Sequence, residues 1–284
     1  MNANRLVLFT VLGMCLGLGC ARGAEKTVAY VQGYDVLAPP GAEVSLRAKV
    51  ERPGHIRYRP DVHGEEVQFL LGDKLIGSAR SAGDGIAEIK HRFEQPGSYV
   101  ITLRLSEQSG YAAEPAPLRA EVCDPKTEFI ITDIDNTIAD VSWAKFTTTK
   151  NEDVPALPGS VEVLTDAAKR YKVVYVTARD DAFIKKTKDW LELRKFPPGP
   201  VFFWDFLGKP LSHAKYKTKE IAAIKKSFPN LAAGLGDRVG DAEAYLANGM
   251  KAIIISPKRD DDLPKEAVWV KDWPSARQAL LPKE

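Results

Sequence analysis

The hydrophobic period of this chain changes once, around Cys123-Asp124-Pro125-Lys126, so the two sides of that point cannot share one kind of layer. Before it, from about Thr27 to Val122, apolar and polar residues alternate. Val44, Leu46, Ala48 and Val50 form one such run, and Val67, Phe69 and Leu71 a second. Ala87, Ile89, His91 and Phe93 form a third, and Tyr99, Ile101, Leu103 and Leu105 a fourth. A period of two lines one face of a strand. Turn chemistry separates the runs at Pro40-Gly41, Pro53-Gly54, Gly72-Asp73, Gly83-Asp84-Gly85 and Pro96-Gly97. About seven strands fit, which predicts an antiparallel β-sandwich. His91, on an inward stripe, is expected to pack; His55 and His63 have no ligand-spaced partner.

Beyond the boundary, short apolar runs alternate with helical stretches. Strands are expected at Glu128 to Ile134, Lys172 to Val176, Pro200 to Trp204, Ala232 to Leu235 and Lys251 to Ile255. Helices are expected at Ser160 to Tyr171, Ala182 to Leu193, Tyr216 to Phe228 and Gly240 to Asn248. Strict alternation implies a parallel sheet covered by helices on both faces. The expected fold class is therefore multi-domain: an all-β sandwich over 25–122, then an α/β Rossmann-like domain with a parallel sheet over 127–284. A length of 284 residues suits two such domains.

The first residues follow another logic. Arg5 precedes the apolar run Leu6 to Leu18 and then small residues, the pattern of a secretory leader over 1–23, too short and Gly-rich for a good spanning helix. Cleavage after Ala21 or Gly23 and export to the periplasm or beyond are expected. Gly17-Leu18-Gly19-Cys20 is an imperfect lipoprotein box, which leaves a lipid anchor on Cys20 as the weaker alternative. Loss of the leader leaves Cys123 alone, so packed cores and not disulfides must supply stability. With 40 basic against 38 acidic residues, charge gives no case for a nucleic-acid partner.

Candidate chemistry gathers at the ends of the predicted parallel strands. The run Phe129-Ile130-Ile131-Thr132 ends in Asp133-Ile134-Asp135-Asn136-Thr137. Two carboxylates two residues apart point the same way past a strand tip, where they can share a site with a divalent cation. One can take up a phosphoryl group while the other gives and recovers a proton. Ending the strand and capping the next element is the plainer role for the same pair. Val173-Val174-Tyr175-Val176 ends in Thr177-Ala178-Arg179, which offers a hydroxyl, backbone N–H groups and a helix start to an anion. Among Lys209, Lys215, Lys217 and Lys219, helical spacing selects Lys217, which shares a face with Ile221, Ile224 and Phe228. Gly236-Asp237-Arg238-Val239-Gly240-Asp241 sets two carboxylates across a strand-to-helix turn, suited to magnesium or, for Asp241, to an N-cap.

These four pieces, in this order, resemble the motifs of the haloacid dehalogenase (HAD) superfamily. Val176-Thr177-Ala178-Arg179, Phe196-Pro197-Pro198-Gly199-Pro200, Lys215-Tyr216-Lys217, Gly236-Asp237-Arg238, Asp241 and Tyr245 resemble in particular the catalytic domain of lipin-type phosphatidate phosphatases. That resemblance implies Asp133 as nucleophile, with Asp135 as general acid/base and a metal ligand through its carbonyl. It implies Thr177, Ala178 and Lys217 as phosphate ligands, Asp237 and Asp241 with Asp133 as Mg2+ ligands, and Arg179 and Arg238 as substrate contacts. Asn136 replaces the family's usual glycine, and Asn tolerates the left-handed backbone required there. The lipin N-terminal region and membrane-binding helix are missing. The sandwich resembles immunoglobulin-like modules of bacterial exported proteins through Gly72-Asp73-Lys74-Leu75-Ile76-Gly77, Asp84-Gly85-Ile86-Ala87 and Pro96-Gly97-Ser98-Tyr99, which names no partner for it.

The expected activity is a Mg2+-dependent phosphatase acting on a phosphate monoester, a phosphatidate or another bulky phosphate presented at a membrane surface or on a macromolecule. The alternative is a catalytically silent lipid- or protein-binding module. Only about twenty residues separate Thr137 from the helix near Ser160, enough for a flap but not a helical cap, so an open site is expected. A segment starting at about Asp124 is expected to fold and turn over by itself.

Overall fold

The computed structural model describes residues 26–54, 59–204 and 212–281. The leader with its cleavage sites and Cys20, together with His55 and Lys209, lies outside the described residues.

Among the described residues, the first half contains ten strands: β1 (Thr27–Val28), β2 (Tyr30–Tyr34), β3 (Val36–Ala38), β4 (Glu43–Glu51), β5 (Glu66–Leu71), β6 (Lys74–Arg80), β7 (Ile86–Arg92), β8 (Gly97–Leu105), β9 (Tyr111–Ala112) and β10 (Ala116–Val122). A five-stranded sheet, β3-β10-β8-β5-β6, faces a three-stranded sheet, β2-β4-β7, and β1 pairs with β9. The alternating residues meet between the sheets, where Leu46, Ala48, Val50, Val67, Phe69, Ala87, Ile101 and Leu103 are fully buried. The pairing is not purely antiparallel, because β3 and β1 run parallel to β10 and β9. Leu71 leaves the core stripe: a register shift between Phe69 and Leu70 turns Leu70 inward, so the period of two breaks just before the turn at Gly72. His91 packs edge-on against Phe93.

The second half comprises β11 (Phe129–Thr132), α1 (Trp143–Phe146), α2 (Ser160–Ala167), β12 (Lys172–Asp180), α3 (Ile184–Leu193), β13 (Val201–Trp204), α4 (His213–Ser227), β14 (Leu231–Gly236), α5 (Val239–Ala247), β15 (Lys251–Ile255), β16 (Val268–Val270) and α6 (Trp273–Leu280). The sheet order is β13-β12-β11-β14-β15-β16, with every pair parallel. Phe129, Ile130 and Ile131 of β11 are wholly buried because the sheet carries helices on both faces. Ile130 packs with residues of α2, α3 and α6, including the buried Trp190 and Trp273. Phe129 and Ile131 pack with α4 and α5. Truncating Phe129 to Ala would cost about 3–5 kcal/mol by transfer and cavity effects.

Several boundaries differ from expectation, each for a local reason. Strand β12 continues past Val176 to Asp180, and after a short 3-10 turn α3 begins at Ile184 instead of Ala182. Helix α4 starts at His213 because the Ser212 hydroxyl accepts the Lys215 N–H at 3.3 Å. The unpredicted α6 has an N-terminal signature in its sequence: Asp272 accepts the Ser275 N–H at 2.9 Å, and Pro274 stands in the first turn.

Charged contacts join the halves. Asp35, 7 % exposed, accepts hydrogen bonds from the N–H groups of Arg119 at 2.8 Å and Val201 at 3.0 Å and from Lys188 Nζ at 2.6 Å. Lys172 meets Glu121 at 2.7 Å, and Tyr34 donates to Asp181 at 2.6 Å. A segment starting at Asp124 would leave Lys188, Asp181 and the Val201 N–H without these partners.

Candidate active site

Strand β11 delivers Asp133 to the C-terminal edge of the sheet, and the Asp133 N–H is still held by the Leu235 carbonyl at 2.9 Å. The chain then turns through Asn136 at φ 55°, the left-handed conformation that Asn tolerates. The Trp273 indole N–H holds the turn by donating to the Thr137 carbonyl at 2.7 Å. Asp133 and Asp135 are both buried, and both line a cavity of about 480 Å³.

Lys217 reaches this tip from the inner face of α4, as the helical spacing requires. Its Nζ lies 2.9 Å from Asp133 Oδ1 and 2.5 Å from Asp241 Oδ1, and the side chain is almost wholly buried. The second oxygen of Asp241 accepts the N–H groups of Asp237 at 3.1 Å and Arg238 at 3.3 Å. Asp241 thus closes the turn at the head of α5 and faces the cavity as well. Glycine is needed at 236, where a Cβ would lie 2.4 Å from the Asp241 Cβ.

Asp133, Asp237 and Asp241 each offer an oxygen, and the three lie within 4.8 Å of one another. Asp237 Oδ1 is buried without a hydrogen-bond partner. Burial, together with the neighbouring carboxylates and against the opposing pull of Lys217, pushes Asp133 up to about 7. Burial and Asp241 push Asp237 up to about 6. Burial would lower Lys217, but Asp133 and Asp241 together outweigh it and raise its pKa. Three carboxylates against one lysine leave excess negative charge and an unsatisfied oxygen, which is what a divalent cation neutralises. The donor set fits Mg2+ and lacks the sulfur and imidazole ligands of zinc.

Arg179, expected as a substrate contact, is not among the residues that line the cavity. It has no solvent exposure, and its guanidinium donates to both oxygens of Asp135, Nε at 3.0 Å and Nη2 at 2.9 Å. Its Nη1 donates to Thr187 Oγ1 at 3.1 Å, and its Cζ lies 3.5 Å from the centre of the Phe146 ring. Thr177 is wholly buried, and its hydroxyl accepts the Arg179 N–H at 3.2 Å. Ala178 does line the cavity, but as part of an extended strand: the expected helix start is displaced to Ile184. Arg238 stands at the cavity mouth, with Nε 3.3 Å from Asp237.

Sequence reasoning missed Ser142, Trp143 and His213, which also line the cavity. His213 had a usable signal, since it stands one turn before Lys217 on the same helix. Its ring lies edge-on to Trp204, and burial, Lys217 and Arg238 lower its pKa. Trp143 belongs to the flap 139–157, which is fastened to α3. Lys186 Nζ donates to the carbonyls of Phe146 at 2.7 Å and Thr149 at 2.6 Å. Trp190 and Arg194 donate to the Val154 carbonyl at 2.9 and 2.8 Å.

A family model described as the PITM 1-3 LNS2 domain matches residues 130–255, from the middle of β11 to the end of β15. No curated protein matches the chain significantly. Among solved structures, D,D-heptose 1,7-bisphosphate phosphatase from B. bronchiseptica, complexed with magnesium and phosphate, is similar at 18 % identity and TM-score 0.43, covering 55 % of this chain and 98 % of that one. A haloacid dehalogenase-like hydrolase from Streptococcus pneumoniae is similar at 14 % identity and TM-score 0.40, covering 53 % and 96 %. A CARDB domain from Pyrococcus furiosus is similar at 16 % identity and TM-score 0.25, covering 34 % of this chain and 97 % of that one. The described residues thus form a two-sheet β-sandwich followed by an α/β domain built on a six-stranded parallel sheet.

Proposed function

We propose that this chain is a magnesium-dependent phosphatase that takes the phosphoryl group of a monoester onto Asp133. One observation carries the reading: Asp133 lies 2.9 Å from Lys217 inside an acidic cluster, in the wall of a cavity it shares with Asp135. Attack by an Asp133 oxygen on phosphorus breaks the bond to the leaving oxygen, which takes a proton from Asp135. Water, losing a proton to Asp135, then attacks the same phosphorus, releases phosphate and restores Asp133. Each oxygen of Asp135 keeps a second lone pair beyond its bond to Arg179, so the carboxyl can carry that proton while held in one plane. Asp133, Asp237, Asp241 and the Asp135 carbonyl would hold Mg2+, which supplies positive charge to the phosphate oxygens. Lys217 and the Ala178 backbone would orient the phosphate, with Thr177 supporting that strand end from below.

Substrate size follows from the walls. The flap contributes one four-residue helix and is tied down by Lys186 and Arg194, so among the described residues no helical cap covers the cavity. This supports a bulky phosphate, such as phosphatidate at a membrane surface or a phosphorylated macromolecule. The leader supports action outside the cytoplasm, and the change of period supports separate domains over 25–122 and 127–284. The second reading, a silent lipid- or protein-binding module, has one observation in its favour: Arg179 already engages both oxygens of Asp135.

The test is turnover by the leaderless protein on mixed micelles containing phosphatidate, on sugar phosphates and on nucleotides, with magnesium or with chelator. Magnesium-dependent hydrolysis that disappears in Asp133→Asn, fastest on phosphatidate, is expected. Preference for a small soluble monoester would reject the open-site argument, and no turnover on any substrate would leave the binding module.

A further inference from the structure

We propose that the sandwich is a positioning part of the catalytic unit, with Tyr34 as the residue through which it acts: Tyr34 holds Asp181 at the start of the turn after β12, and the strand end just before that turn holds Arg179 against Asp135. The catalytic half of this inference rests on the phosphatase reading above. Tyr34 is the last residue of β2, and its hydroxyl donates to Asp181 Oδ2 at 2.6 Å across the junction. Lys49 Nζ lies 3.6 Å from the same oxygen. The Arg47 guanidinium covers the Tyr34 ring at 4.9 Å. Burial and Asp181 raise the Tyr34 pKa, so the hydroxyl remains a donor at any pH the protein meets. Asp181 is 6 % exposed and stands two residues after Arg179, whose guanidinium fixes the plane of Asp135.

The same grip extends to the far wall of the cavity. Asp35 and Gln32 hold α3 from the sandwich side, through Lys188 Nζ at 2.6 Å and the Lys185 N–H at 3.3 Å. Between those two residues, Lys186 fastens the flap that carries Trp143. Apolar residues could join two domains without the desolvation cost of burying Asp35, Asp181 and Lys188. Polar pairs of fixed geometry instead impose one orientation, and a general acid needs placement to within a fraction of an ångström.

The experiment compares full leaderless wild type, Tyr34→Phe and Tyr30→Phe, the last altering an exposed ring on the same strand. Two substrates are used: p-nitrophenyl phosphate, whose leaving group needs little protonation, and a simple alkyl phosphate, whose leaving group needs a proton. Tyr34→Phe should lower kcat on the alkyl phosphate by about tenfold, lower it by less than about threefold on p-nitrophenyl phosphate, and leave both KM values unchanged. Tyr30→Phe should match wild type. Equal losses on the two substrates, or no loss, would overturn the proposal, because loosened packing does not distinguish leaving groups. Backbone amide exchange gives a readout independent of activity. Amides 177–182 should exchange about tenfold faster in Tyr34→Phe while those of 129–132 are unchanged. Unchanged exchange at 177–182 overturns the positioning role; a wild type inactive on both of these small esters is inactive on them alone, bears on the phosphatase reading only if phosphatidate micelles also fail, and leaves exchange to decide this inference.

Discussion

Arg179 grips both oxygens of Asp135, at 3.0 and 2.9 Å, from a position with no access to solvent. The pair joins β12 to the turn after β11 and sets which way the second aspartate of the motif faces. Lysine keeps the charge but cannot make two parallel bonds. Arg179→Lys should therefore lower kcat by about a hundredfold, as loss of a positioned acid does. Removing the charge with Arg179→Met should cost about 3–5 kcal/mol, because Asp135 is left buried and unpaired. Steady-state kinetics and urea unfolding of the two variants check both; a fully active Arg179→Lys would refute the positioning role.

The acidic cluster makes metal-free stability depend on pH in an unusual direction. Asp133 and Asp237 are raised from 3.8 to about 7 and about 6. A raised carboxyl binds its proton more tightly in the folded state, so stability rises as pH falls through 7 and 6, and the gain saturates near the ordinary carboxylate range. In chelator, melting temperature should be higher at pH 5 than at pH 8. Added magnesium competes with those protons, so its stabilising shift should be large at pH 8 and small at pH 5. Thermal melts at four pH values, with and without magnesium, check this; an equal shift throughout would show that the ion binds elsewhere.

Gly236 tests the turn that presents Asp241. A methyl group there would lie 2.4 Å from the Asp241 Cβ, so Gly236→Ala must push α5 away from β14. The expected cost is about 1–3 kcal/mol of stability, the range for forced overpacking. Magnesium affinity, measured by calorimetry, should fall in the same variant, and unchanged affinity would remove Asp241 from the ligand set.

Local chemistry made the strand tips legible in sequence. An uninterrupted apolar run ending in two aspartates has few explanations, and Lys217 shares the stripe of Ile221, Ile224 and Phe228, which the structure buries. Arg179 was not legible in its true role, because its partner lies 44 residues away and arginine beside a predicted anion site reads as a ligand. The burial of Thr177 was not legible for a similar reason: periodicity fixes a face of the strand but not the depth at which a residue stands. The junction was silent because Tyr34, Asp35 and Lys188 look like surface residues until the two halves meet. Strand β16, three residues long, is too short to carry a period.

The carbonyl cage around Lys186 has a consequence for the fate of the phosphoryl group. A flap tied at Phe146, Thr149 and Val154 is braced against α3, so on the phosphatase reading the described residues leave the mouth above Asp133 open to the medium. An enzyme that passes phosphate from one alcohol to another must keep the acyl phosphate dry while it exchanges partners, and no described residue of this site is placed to exclude water. On that reading water, the most abundant acceptor, should take the group first. Partitioning between hydrolysis and transfer should then depend on Lys186, Trp190 and Arg194, side chains that stand outside the cavity lining.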